Sequence, residues 1–255
     1  MTCGEPVLVE RDGAVLTITI NRPQARNAID LATARGISRA LDELDGNERL
    51  LTAIITGAGG TFCAGADLKA LARGELPRTD RGFAGICRMP PAKPVIAAVE
   101  GFALGGGTEI ALACDLIVAA RTAVFGLPEV KRGLIASAGG LFRLPGRIPY
   151  HIAMELILTG ASLDAERAER LGLVNRLSEP GAALAQAREL ARAIGDNGPL
   201  AVAAAKRVVT ESAGWPPAEM FDRQEPIFQQ IRASADAGEG AAAFAAKRAP
   251  VWTGR

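Results

Sequence analysis

Residues 93–114 read KPVIAAVEGFALGGGTEIALAC. Pro94–Val99 is a short apolar run rich in small and β-branched residues, the pattern of a strand buried on both faces. Gly105, Gly106 and Gly107 follow, and Thr108–Cys114 is a helical run. A buried strand that leads through glycines into a helix is the joint of an α/β fold. The same joint precedes it: LTAIIT at 51–56 reads as a buried strand, runs into Gly57–Gly60, and Ala64–Lys69 (AGADLK) opens a short helix. Leu116–Ala119 is a further strand.

Nearer the start, residues 6–20 (PVLVERDGAVLTITI) form two runs rich in β-branched residues around Arg11-Asp12-Gly13, a hairpin signal. Asp30 is placed to cap a helix reaching about Leu44, with Leu31, Ala34, Ile37, Ala40, Leu41 and Leu44 at helical spacing. Strands and helices alternate, so the fold class is α/β with mainly parallel strands. Residues 73–93 mix Gly, Pro, Arg and Asp, which predicts a mobile, partly helical cover. Past about residue 140 the character changes. Helices are predicted at 151–158, 164–171, 181–194, 200–212, 218–233 and 239–248, with Val174–Leu177 as the one late strand. Such a tail cannot bury all its apolar faces alone, so it is expected to pack against other subunits.

The chain has 255 residues, 29 basic against 28 acidic, one His and four Cys. That length suffices for a large core. A net charge of +1 gives no electrostatic footprint for nucleic acid. One His leaves no basis for a His-built metal site. Cys3, Cys63, Cys87 and Cys114 share no CxxC spacing and predict reduced thiols in a cytoplasmic protein. The N-terminus lacks the basic and apolar regions of a signal peptide. The apolar stretches are broken by Glu100, Glu109, Asp115 and Arg121, so no membrane insertion is expected.

Several motifs fail on inspection. Phe62 stands where GxGxxG would need glycine, and Ala66 where a Walker loop would need lysine. Ser137 lacks the first glycine of a nucleophile elbow, and His151 has no second partner by spacing. What remains are glycine corners with carboxylates downstream. Gly105–Gly107 lets a ligand approach the backbone, and a helix N-terminus offers unpaired N–H groups to a developing oxyanion. Glu109 lies in the first turn, where the helix dipole alone would favour it. Ala64–Asp67 is a second such corner. Glu129, behind Pro128 in an apolar turn, is a candidate proton donor, since desolvation raises a carboxyl's pKa. Glu100 and Asp115 are rival carboxylates, and capping is the expected job of Asp115.

Together the segments 62–68 (FCAGADL), 93–109 and 125–129 (FGLPE) closely resemble the enoyl-CoA hydratase/isomerase (crotonase) superfamily. Residues 21–27, 158–160, 168–174 and 240–248 are similar to further parts of it, so the resemblance is nearly full length. It implies a spiral of ββα units over 1–195 and a C-terminal helical trimerisation region over 196–255, assembled as a homotrimer or hexamer. It implies a coenzyme A thioester as substrate, with no tightly bound cofactor, coenzyme A being part of the substrate itself. By position, the amides of Ala66 and Gly106 would form the oxyanion hole. Arg26, Ala64, Asp67, Leu68, Gly105 and Pro128 would border the substrate, and Lys247 would reach a neighbouring subunit's ligand.

Hydratases of the superfamily resemble one another in carrying both acids, and Glu109 and Glu129 are both present. The resemblance therefore implies water addition to a 2-enoyl-CoA, in fatty-acid or related acyl degradation. A double-bond isomerase and a non-catalytic scaffold are the alternatives. Ala136 stands where Pro is common in the superfamily, Leu141-Phe142 where Thr-Gln is frequent, and Glu100 where Asn is common. The first two bear on acyl preference rather than on the reaction.

Overall fold

The computed structural model describes residues 4–255. Cys3, and the expectation of a reduced thiol there, lies outside the described residues. The hairpin β1 (Val7–Asp12) and β2 (Val15–Ile20) turns at Gly13, and helix α1 (Leu31–Gly46) follows. The Asp30 side chain accepts from the Thr33 amide at 2.8 Å, the cap read from sequence. Strand β3 (Thr52–Gly57) leads to α2 (Leu68–Ala72). A two-residue ladder, β4 (Arg78–Thr79) with β5 (Gly82–Phe83), precedes β6 (Val95–Val99), β7 (Phe102–Leu104) and α3 (Gly106–Ala113). Next come β8 (Leu116–Ala120), β9 (Val124–Gly126), α4 (Gly140–Arg143), α5 (Tyr150–Thr159), β10 (Ser162–Asp164), α6 (Ala165–Arg170) and β11 (Arg176–Ser178). Helices α7 (Ala183–Gly195), α8 (Pro199–Ser212), α9 (Met220–Arg232) and α10 (Ala235–Ala245) complete the chain.

Six strands form one sheet in the order β1-β2-β3-β6-β8-β11, parallel except for the first pair. Three form a second sheet in the order β10-β9-β7, extended by a bridge from Cys63 to Ala103. After the opening hairpin the chain alternates between the two sheets: β3 is followed by the Cys63 bridge and α2, β6 by β7 and α3, and β8 by β9. This is the spiral of ββα units. In the large sheet alternate side chains point to opposite faces. Ile54, Ile96, Ala98 and Val118 pack under Ala183, Ala187 and Ala191 of α7. Ala53, Ile55, Val95, Ala97 and Ala119 face the main core. Both faces are buried, which is why these strands read as unbroken apolar runs.

Three expectations need correction. Residues 73–93 carry no helix beyond α2 but the β4-β5 ladder, held by Arg81, which bonds Asp42 at 2.8 Å, Asp45 at 3.0 Å and the Met89 carbonyl at 3.0 Å. β11 is not the one late strand, because β10 precedes it. Asp115 caps no helix: its carboxylate accepts from the Val95 amide at 2.8 Å and pairs with Lys206 at 2.6 Å, pinning β6 and α8.

The C-terminal region is built differently. Helix α8 buries no residue and α9 buries only Ile227. Phe221 is 85% exposed and Phe244 88%. Residues 252–254 are tied back to α10, where Asp236 accepts from the Thr253 and Gly254 amides, and to the end of α7, where the Trp252 indole donates to the Asp196 carbonyl.

Candidate active site

The site grows from two chain corners that touch. The first is the turn from β7 into α3. Gly105 sits at φ +55°, a conformation that glycine adopts without strain. A side chain on Gly107 would run into the Cys63 carbonyl oxygen, so glycine is required for α3 to approach the other corner. The Thr108 hydroxyl locks the turn from inside. It lies 2.6 Å from the Ala103 carbonyl and 2.8 Å from the Gly126 carbonyl, and accepts from the Gly126 amide at 3.0 Å.

The second corner runs from Cys63 to Asp67. It is held by a parallel bridge in which the Ile29 amide donates to the Gly65 carbonyl and the Asp67 amide to the Ile29 carbonyl. Both bonds use the peptides flanking Ala66, which leaves the Ala66 N–H pointing away from Ile29. Gly106 opens α3, so its N–H has no helical partner. A Cβ on Gly65 would lie 3.2 Å from the Gly106 nitrogen, which places the two corners in contact. The Phe83 ring of β5 lies over them, 2.5 Å from where a Gly106 Cβ would be.

Two carboxyls lie beside these corners. Glu109, on the first turn of α3, is 3% exposed. Its Oε1 accepts from the Ala138 amide at 2.6 Å and the Gly140 amide at 2.9 Å. Burial pushes its pKa up, and these two amides and the Arg143 guanidinium only partly offset that. Glu129 lies in a 3₁₀ turn, Pro128–Arg132, and its Oε1 is 2.9 Å from where a Gly105 Cβ would sit. Its Oε2 is buried without a hydrogen-bond partner among the described residues. Burial raises its pKa, and the charge of Glu109 raises it further against the pull of its own backbone amide and Arg132.

The remaining predicted residues divide. Arg26 and Ala64 are adjacent, since the Ala64 amide donates to the Arg26 carbonyl at 3.0 Å. Leu68, the first residue of α2, is 61% exposed. The Asp67 carboxylate caps α2 and pairs with Arg22 at 2.8 Å. Burial works to raise its pKa, but Arg22 and the amides of Ala70 and Lys69 outweigh it and hold it below the usual carboxylate range. Lys247 is exposed just past α10. Glu100 is occupied elsewhere: it accepts from the Gly181 and Ala183 amides at 3.0 Å and so caps α7. His151 is exposed on α5 with its ring against Tyr150, and Ser137 is exposed. Arg143 and Phe83 were missed by sequence reasoning, since each reaches the site from a segment distant in sequence with no motif of its own. Among the described residues, no three His, Cys, Asp or Glu side chains are grouped to hold a metal ion. No helix among them is long and apolar enough to cross a membrane.

The family model described as enoyl-CoA hydratase/isomerase matches residues 10–255. The crystal structure of an enoyl-CoA hydratase from Mycobacterium tuberculosis H37Rv is 59% identical, with a TM-score of 0.97 covering 98% of this chain and 100% of that one. A carnitinyl-CoA dehydratase of Salmonella typhi is 44% identical over 260 residues, 98% of this chain and 99% of the relative. A carnitinyl-CoA hydratase structure from Mycobacterium avium is 46% identical with a TM-score of 0.80, covering 99% of this chain and 100% of that one. A fold that winds strand by strand through two sheets, with relatives matching it end to end, makes this chain a member of the enoyl-CoA hydratase/isomerase family, the crotonase superfamily.

Proposed function

We propose that the protein is a hydro-lyase that adds water across the double bond of a 2-enoyl-CoA to give the 3-hydroxyacyl-CoA, and catalyses the reverse. One observation supports this reading: a buried carboxyl, Glu109, and a half-buried one, Glu129, in different electrostatic settings lie beside the touching corners that carry the Ala66 and Gly106 amides. The amides of Ala66 and Gly106 receive the thioester oxygen. As they draw electron density onto it, the β-carbon becomes electrophilic; one such donor is worth roughly 2.7–4 kcal/mol in the transition state. Glu109, with two amides on one oxygen, has its ionised form supported and acts as the base that orients water and takes its proton. Glu129, with an orphaned oxygen beside a second acid, has its neutral form supported and delivers a proton to the α-carbon. Relatives named hydratase and dehydratase fit one site, because both names describe the same equilibrium.

Coenzyme A arrives as part of the substrate, and no tightly bound cofactor is needed. Arg26, Ala64 and Leu68 border its path at the second corner, and Lys247 serves a neighbouring subunit's ligand. The exposed apolar residues of α8–α10 form the interface of a homotrimer or of a hexamer built from two. The buried free thiols of Cys63, Cys87 and Cys114 fit a reducing cytoplasm.

The test is a panel of enoyl-CoA thioesters, with carnitinyl-CoA included. The purified protein should consume a conjugated enoyl thioester with loss of its ultraviolet absorbance and a mass gain of one water. Appearance of conjugation from a 3-enoyl thioester, without water uptake, would instead identify an isomerase. Binding without turnover of any member would identify a scaffold.

A further inference from the structure

The Glu109 carboxyl owes its placement to a loop, Ala138–Gly140, that is largely buried but sets only one side chain, that of Ala138, against the core. Ala138 is half-buried, Gly139 sits at φ +110°, and the flanking residues Leu134, Ile135 and Phe142 are exposed. The side chain of Arg143, at the end of α4, ties this loop to the rest of the site. One guanidinium nitrogen donates to the Ala138 carbonyl at 3.2 Å, the other to the Cys87 carbonyl at 2.7 Å. The guanidinium also fills the space that a Gly139 side chain would need, and it lies 5.2 Å from the centroid of the Phe142 ring.

We infer that Arg143 is a positioning residue for the reaction: it straps the Ala138–Gly140 loop to the cover segment at Cys87, so that two amides meet one oxygen of Glu109. The inference rests on the reading of Glu109 as the base. The geometry follows from the peptide units. Ala138 offers its carbonyl to Arg143 and its N–H to Glu109, so gripping one end of the residue aims the other. With Oε1 saturated by two donors, Oε2 is the oxygen left for water. Arg143 also contributes a positive charge near a carboxylate in a buried setting, and so favours the ionised form that a base requires. The other titratable groups coupled to Glu109 are Glu129, from the 3₁₀ turn, and the Cys87 thiol, from the cover segment. Glu129 acts in the opposite direction, and the thiol is held neutral because burial pushes its pKa well up. Lysine would keep the charge but present no rigid fork to two carbonyls.

The experiment compares wild type, Arg143→Met and Arg143→Lys. Steady-state kinetics with crotonyl-CoA are measured across pH. The Glu109 carboxyl is titrated by infrared difference spectroscopy, using Glu109→Gln to identify its band, which requires no substrate. Arg143→Met should lower kcat about 10- to 100-fold, the effect of a catalytic group misplaced by roughly 1 Å, with KM unchanged. Its acid limb and the infrared titration of Glu109 should both move to higher pH. Arg143→Lys should keep the wild-type acid limb and still lose kcat, separating charge from geometry. A folded Arg143→Met with an unmoved Glu109 titration overturns the inference. So does a loss carried by KM alone, which would make Arg143 a prop for the cover segment. If Arg143→Met does not fold, Arg143→Lys decides: reduced kcat at constant KM supports the role and unchanged kcat refutes it. A wild-type protein inactive on every thioester would sink the proposed reaction, while the infrared titration would still decide whether Arg143 governs Glu109.

Discussion

Replacing Glu109 should separate catalysis from stability, because its two duties rest on different properties of the carboxyl. Its acceptor duty needs only an oxygen: Oε1 takes the amides of Ala138 and Gly140 at 2.6 and 2.9 Å. Its chemical duty needs a negative charge. Glu109→Gln keeps the acceptor and removes the charge. It should lose about 10²–10⁴-fold in kcat, the usual worth of a positioned base. Burial raises the Glu109 pKa in the folded state, so the folded protein binds this proton more readily than the unfolded chain. The stabilisation from that preference is complete below the unfolded carboxyl pKa and is lost as pH rises through the folded one. Near neutrality the wild type therefore bears the cost of a buried charge, and Glu109→Gln should unfold no earlier than wild type. Glu109→Ala removes the charge and the acceptor together. A buried amide, that of Gly140, and a half-buried one, that of Ala138, then lack a partner, at about 1–3 kcal/mol each, so it should be less stable than Glu109→Gln by up to roughly 6 kcal/mol, less whatever entering water recovers. Denaturant unfolding at neutral pH, beside crotonyl-CoA turnover, measures both. Normal turnover in Glu109→Gln, or equal destabilisation of the two variants, would refute the reasoning.

Further outcomes follow from the same geometry. Gly107→Ala forces a methyl against the Cys63 carbonyl, pushes the two corners apart, and should abolish turnover while costing about 1–3 kcal/mol in stability. Glu100→Gln weakens only the cap of α7; unfolding should show a loss of about 1 kcal/mol and kinetics no change in kcat. The pH profile of kcat/KM should be a bell whose two limbs both lie above the ordinary carboxylate range. Activity falls on the acid side as Glu109 gains its proton and on the alkaline side as Glu129 loses its own. Phe221→Asp with Phe244→Asp should reduce the assembly to monomers in sedimentation if α9 and α10 form the subunit interface.

The parts of the fold legible in the sequence are those written in local pattern. The β1-β2 hairpin, the Asp30 cap, β3, β6 and α3 each carry their own signal of apolar run, cap or glycine. The strands β7, β9 and β10 carry none, being three residues each and defined by their pairing across the small sheet. The β4-β5 ladder was hidden for a similar reason, since the groups that hold it, Asp42 and Asp45, lie on α1. Helix boundaries after residue 140 fell within a few residues because Ala-rich periodicity is local too. In the site, Glu109 and Glu129 stand in recognisable corners. The capping of α7 by Glu100 and the anchoring of the Arg143 strap at Cys87 depend on partners far away in sequence, and no spacing rule reveals them.

The central proposal is that one base and one acid add water across a conjugated thioester. The direct test is turnover of crotonyl-CoA in deuterated, oxygen-18-labelled water, with the product read by mass spectrometry and NMR. The expected product is 3-hydroxybutyryl-CoA with solvent oxygen at the β-carbon and one solvent-derived deuterium, stereospecifically placed, at the α-carbon. A product that gains deuterium but no oxygen, or oxygen at any other carbon, would contradict it.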